Sequence, residues 1–84
     1  MNRGGATAIT VTWDRALQVP RSFTWRARRY RIERVLHTWV IDTAWWDERS
    51  HISRHYTRVL AEGRVFDLYF DRLRRAWYLE KALN

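Results

Sequence analysis

A chain of 84 residues with 46% hydrophobic and 15% aromatic content makes one domain at most. It has no cysteine, which excludes a disulfide framework and a thiolate metal site. The formal net charge of +7 comes from sixteen Lys plus Arg against nine Asp plus Glu, and every cation except Lys81 is arginine. Such a body attracts polyanions, and arginine also stacks on aromatic rings and pairs bidentately with phosphate or carboxylate.

A chain this short buries only about 60–65% of the surface it exposes when unfolded. Its core must therefore be built from large side chains, here six Trp, four Tyr and three Phe. No apolar run approaches the roughly 20 residues of a membrane-spanning helix, and no signal-peptide core follows Met1. The expectation is a cytoplasmic protein without a membrane partner.

Residues 1–7 are polar and glycine-containing and read as a disordered start, with a single β domain over 8–84. Ala8 to Trp13 alternates, placing Ile9, Val11 and Trp13 on one face of a first strand. Asp14 to Val19 is a connection, with a short turn of helix around Arg15 to Leu17, and Pro20 suits the entrance of the next strand.

Pro20 to Ile32 reads as a hairpin. A two-residue turn at Ala27-Arg28 sets Arg26 opposite Arg29, Trp25 opposite Tyr30, Thr24 opposite Arg31 and Phe23 opposite Ile32. Phe23, Trp25, Tyr30 and Ile32 then face the core, while Thr24, Arg26, Arg29 and Arg31 face outward. The second strand continues to Trp39, but its alternation slips at Arg34-Val35. A β-bulge explains the slip, and a helix from Ile32 to Trp39 is the alternative.

Val40 to Ser53 is irregular in period and reads as a long loop, or as a strand and a loop. A second hairpin turns at Glu62-Gly63. It pairs Val59 with Phe66, Thr57 with Leu68 and His55 with Phe70 on one face, and Arg58 with Asp67 and Tyr56 with Tyr69 on the other. After a loop at Arg72 to Arg75, a last strand sets Trp77 beside Phe70, Tyr78 beside Tyr69 and Leu79 beside Leu68. The sum is an all-β fold of five or six antiparallel strands in consecutive hairpins. Burying both apolar faces calls for a strongly bent sheet or a small SH3-like open barrel with little helix. A first or last strand left as an open edge is a place where a second copy pairs, so the oligomeric state stays undetermined.

Two constellations carry chemistry. Arg26, Arg28, Arg29 and Arg31 crowd one hairpin, with Arg21 and Arg34 at its far end. The like-charge opposition of Arg26 and Arg29 is one a polyanion relieves, although a merely solvated face is the ordinary explanation. In Trp45-Trp46, neighbouring extended residues point to opposite faces. One tryptophan enters the core easily, and the other is a stacking platform for a base or an anchor in a partner protein. His51 and His55 have the spacing of some metal sites but lack supporting ligands, so no metal or other cofactor is expected. With glycines only at Gly4, Gly5 and Gly63, there is no phosphate-binding loop, and no nucleophile elbow or kinase-type signature occurs. A non-enzymatic role follows.

The order Pro20-x-x-Phe23-x-Trp25-Arg26-x-Arg28-Arg29-Tyr30-x-Ile32, then Trp39, Trp45-Trp46-Asp47, Tyr56-x-Arg58-Val59, Gly63 to Tyr69 and Trp77-x-Leu79-Glu80 resembles an uncharacterised bacterial family of small domains. That family occurs as short stand-alone proteins and is similar to the tail of the mutasome's inactive Y-family polymerase-like subunit. The chain departs from the pattern at Ala27, where the family has glycine, and at Asn84, where it has aspartate. The resemblance implies an accessory role in DNA repair or damage-tolerant synthesis and brings no catalytic residues. Together these readings give a module that binds single-stranded or structured nucleic acid through Arg26, Arg28, Arg29 and Arg31, with Trp45 or Trp46 stacking. The alternative is a protein-interaction module with an exposed tryptophan anchor and an acidic partner.

Overall fold

The computed structural model describes residues 6–43 and 51–83. Six strands follow one another: β1 (Thr7–Asp14), β2 (Val19–Trp25), β3 (Arg28–Thr43), β4 (Ile52–Ala61), β5 (Arg64–Asp71) and β6 (Ala76–Leu83). Each pairs antiparallel with the next, and β1 pairs with β6 through Thr7↔Leu79, Ala8↔Tyr78 and Ile9↔Trp77. The barrel is therefore closed, where the sequence pattern left it bent or open. Closure removes the open edges at β1 and β6. Among the described residues there is no helix long and apolar enough to cross a membrane.

The inner face is an aromatic and aliphatic core. Phe23, Val59, Phe66 and Leu68 are almost wholly buried, with Tyr30, Ala61 and Leu79 around them. Phe23 stacks on Tyr30 with ring centroids 5.1 Å apart, and Phe66 meets both rings edge-on at 5.1 and 5.2 Å. Edge-to-face and offset contacts at these distances add to the area burial of each ring.

The second hairpin has the expected register throughout, from His55↔Phe70 to Val59↔Phe66, and β6 places Trp77, Tyr78 and Leu79 beside Phe70, Tyr69 and Leu68. The turn works because Glu62 and Gly63 both have positive φ, 51° and 79°, the primed geometry that matches the twist of the flanking strands.

The first hairpin corrects the expectation. Its turn is Arg26-Ala27, with φ of 54° and 61°, and the pairs are Trp25↔Arg28, Thr24↔Arg29, Phe23↔Tyr30 and Ser22↔Arg31. A shift of two residues keeps Phe23, Trp25 and Tyr30 facing the core and Thr24, Arg29 and Arg31 facing outward but changes every partner, so Arg26 moves into the turn and does not oppose Arg29. Setting Phe23 against Tyr30 lets both rings reach Phe66, and core packing prevails over the unfavourable φ of two non-glycine residues.

β3 is a strand and not a helix, with register shifts at Ile32/Arg34 and Val35/His37 that account for the broken alternation. It pairs with β4 as far as Thr43↔Ile52, so of the two readings of Val40 to Ser53 the strand and loop is the one that fits at residues 40–43, 52 and 53, and residues 44–50 lie outside the described residues. The β1–β2 connection is a turn without helix, in which the Leu17 N–H donates to Asp14 Oδ1 at 3.0 Å. β1 begins at Thr7, one residue earlier than expected.

A second aromatic row lies on the outside of the sheet. Trp39, Tyr56, Tyr69 and Tyr78 occupy successive positions across β3 to β6, with centroids 5.0, 5.0 and 5.3 Å apart. Arginines cover it: Arg54 lies 4.5 Å over Tyr69 and Arg58 lies 5.6 Å over Trp39. Tyr56 and Tyr69 are thereby buried on an outer face, and this burial pushes both phenols above their ordinary pKa.

Candidate nucleic-acid interface

Both tight turns, Arg26-Ala27 and Glu62-Gly63, lie at one end of the barrel, because β2 and β4 run toward it and β3 and β5 away. Two carboxylates tie the turns together. Glu62 accepts from Arg28 Nη2 at 3.0 Å and from the Arg31 backbone N–H at 3.3 Å, while Glu33 accepts from the Gly63 N–H at 3.2 Å.

The expected arginine set divides here. Arg28 is on the core-side face opposite Trp25, its guanidinium 4.9 Å from the Tyr30 ring and paired with Glu62. Arg26 occupies the turn and lies 4.6 Å over Trp25. Both cap the open end of the core.

Arg29 and Arg31 project from the outer face opposite Thr24 and Ser22, and Arg29 Nε donates to the buried Ser22 hydroxyl at 3.4 Å. They are joined by Arg21. β1 and β2 pair as Thr12↔Ser22 and Trp13↔Pro20, which leaves Arg21 as the extra residue of a bulge. A bulge re-aims its side chain, and Pro20, which cannot donate to a ladder, is tolerated beside one. Arg21, Ser22, Arg29, Arg31 and Glu62 line a polar cleft of about 340 Å³.

Other carboxylates among the described residues have partners of their own. Asp67, 1% exposed, accepts from Arg58 at 2.7 and 3.0 Å. Glu80 accepts from the Tyr56 hydroxyl, and Asp71 caps the β5–β6 turn through the N–H groups of Leu73 and Arg74. Asp42 is 2.8 Å from His51 Nε2, a hydrogen bond that holds its carboxyl below the ordinary range. Among the described residues, no ion pair within 4.0 Å involves Arg21, Arg29 or Arg31. Three planar guanidinium forks and a hydroxyl around one concavity, with Glu62 as the single acid, can hold tetrahedral oxyanions.

Trp45 and Trp46 lie outside the described residues. Of the two histidines at metal-like spacing, His51 is hydrogen-bonded to Asp42, and His55 lines a cavity to which His51 does not contribute. No group of three or more His, Asp or Glu positioned for a metal occurs among the described residues. Sequence reasoning saw Arg21 only at the margin and missed Ser22 and Glu62. The lone signal for Arg21 was the proline before it, while Glu62 arrives from the other hairpin.

No curated protein and no solved structure matches the chain. A family model described as a domain of unknown function, DUF6504, matches residues 7–83, which covers all six strands, and the chain belongs to that family.

Proposed function

We propose that this domain is a non-catalytic module that binds the phosphate backbone of nucleic acid through Arg21, Arg29 and Arg31. The observation that carries the proposal is the shared cleft: three arginines from β2 and β3 converge on about 340 Å³ of polar space, without carboxylate partners among the described residues. Phosphate contacts of this kind position a strand without reading its sequence. Arg26 and Arg28 are occupied with aromatic rings and Glu62 at the turn and do not line this cleft. A role in DNA repair or damage-tolerant synthesis rests on the resemblance to the polymerase-like subunit's tail alone.

The test is fluorescence anisotropy with labelled oligonucleotides from about 50 to 200 mM salt. Three phosphate contacts give a log–log salt slope of roughly −2 on single strands. Arg29→Glu/Arg31→Glu, checked for folding by circular dichroism, abolishes binding. A salt-insensitive interaction, or none at the low-salt end, sinks the reading and turns attention to an acidic protein partner.

A further inference from the structure

The end of the barrel away from the tight turns holds a second, chemically different cavity of about 370 Å³. Its walls are Trp13, Phe70 and Trp77, with Trp77 5.5 Å from Phe70 and 6.3 Å from Trp13 between ring centroids. Its polar groups are His55, Thr38 and Thr57, inward-facing residues of β3 and β4, with Gln18 at the rim. Trp13 is 42% exposed, a large apolar surface left to water at this mouth.

A third pocket lies between this cavity and the arginine cleft. It is a groove lined in part by Leu17 and Arg34 and by the carboxylates Asp14 and Glu33, and it shares Val19, Pro20 and Val35 with the aromatic cavity and Arg21 with the cleft. The bulge at Arg21 is thus where cationic surface passes into aromatic surface.

We infer that the barrel mouth accepts one unpaired base of a single strand whose phosphates run along Arg21, Arg29 and Arg31. The inference rests on the phosphate-binding reading above and adds to it the ligand's single-stranded character. An indole-walled pocket offers stacking to any base, because every base has a π-face. An imidazole and hydroxyls, which both donate and accept, suit base edges of either polarity. A cavity of this volume lies in the range of small-ligand sites, and a base still paired in a duplex cannot enter it. The groove itself sets Arg21 and Arg34 beside Asp14 and Glu33, and it is the excess of arginine in the cleft at its end, Arg21, Arg29 and Arg31 against the one acid Glu62, that decides for a strand over an apolar peptide.

The experiment compares an oligothymidylate of about ten nucleotides with an abasic oligomer of the same length and with duplex. The unmodified protein binds the abasic strand about tenfold more weakly than oligothymidylate. In Trp13→Ala and in His55→Ala, both at exposed positions, that ratio falls toward one while the salt slope is kept. Because the readout is a ratio, a variant that merely loses folded protein does not mimic the result. Equal binding of abasic and base-bearing strands overturns the inference and leaves the phosphate surface standing, as does a ratio unchanged in both variants. Duplex binding tighter than single-strand binding also overturns it. Absence of binding to every oligomer overturns both readings.

Discussion

Arginine serves opposite purposes on the two sides of this barrel. On the β4–β5–β6 wall, Arg58 forms a bidentate pair with Asp67 and covers Trp39, and Arg54 lies on Tyr69 with Nη1 donating to the Tyr56 hydroxyl. Here each guanidinium completes a packed aromatic row. On the β2–β3 side, Arg21, Arg29 and Arg31 surround a cleft whose one acid, Glu62, is already held by Arg28. The same residue type therefore supports structure where aromatic rings and carboxylates from three strands converge, and at Arg21, Arg29 and Arg31 on the other side has no ion pair among the described residues.

The comparison breaks most sharply in a pair of variants. Arg29→Glu/Arg31→Glu is expected to abolish oligonucleotide binding in anisotropy while leaving the thermal midpoint nearly unchanged, since surface changes usually cost within about 0.5 kcal/mol. Arg58→Met should do the reverse. It strands the buried Asp67 carboxylate, lowers the thermal midpoint by several degrees in scanning calorimetry and leaves the salt slope of binding intact. Adding Asp67→Leu to Arg58→Met should recover much of that loss, because an apolar pair replaces a buried ion pair at little cost. If Arg58→Met weakened binding as much as the β2–β3 reversal, the division between the two sides would not hold.

A smaller effect comes from the first turn. Ala27 sits at φ 61°, so Ala27→Gly relieves strain and is expected to stabilise the domain by about 1 kcal/mol in urea unfolding. A loss of stability there would contradict the positive φ. Smallest is the alkaline limb. Tyr69 has its phenol raised above 10.0 by burial, so the unfolded chain gives up that proton at lower pH than the folded one. The stability involved is fully present below about pH 10 and is lost as pH climbs through the raised folded value. Tyr69→Phe keeps the stacked ring and removes that dependence, so urea midpoints against pH should fall less steeply on the alkaline side.

The two hairpins also show what makes a register readable. In the second, Arg58 opposite Asp67 and a glycine at the turn agree on one alignment, and the pairing is as expected from end to end. In the first, the candidates for the outer face are nearly all arginine, so charge favours no alignment, and the turn residues are Arg and Ala in a geometry that glycine and asparagine prefer. The pairing slipped by two residues. The faces survived because the side-chain period in a strand is two, which is why Arg29 and Arg31 were read as outward correctly while Arg26 and Arg28 were not separated from them.

What the sequence by itself determined was local. Period-two alternation marks β1, both hairpins and β6, and Arg58 with Asp67 aligns β4 with β5. The arginine composition assures a positive field. Only the tertiary structure decided the rest. Closure joins Thr7 to Leu79, a contact between the chain's extremes that no local period encodes, and sets Trp13 near Trp77, while the β3–β4 ladder brings Glu62 against Arg28. Which arginines are spent on neighbours and which remain for a ligand depends on residues delivered by other strands. Partners of that kind come from the folding of the whole barrel and leave no pattern in the segment that receives them.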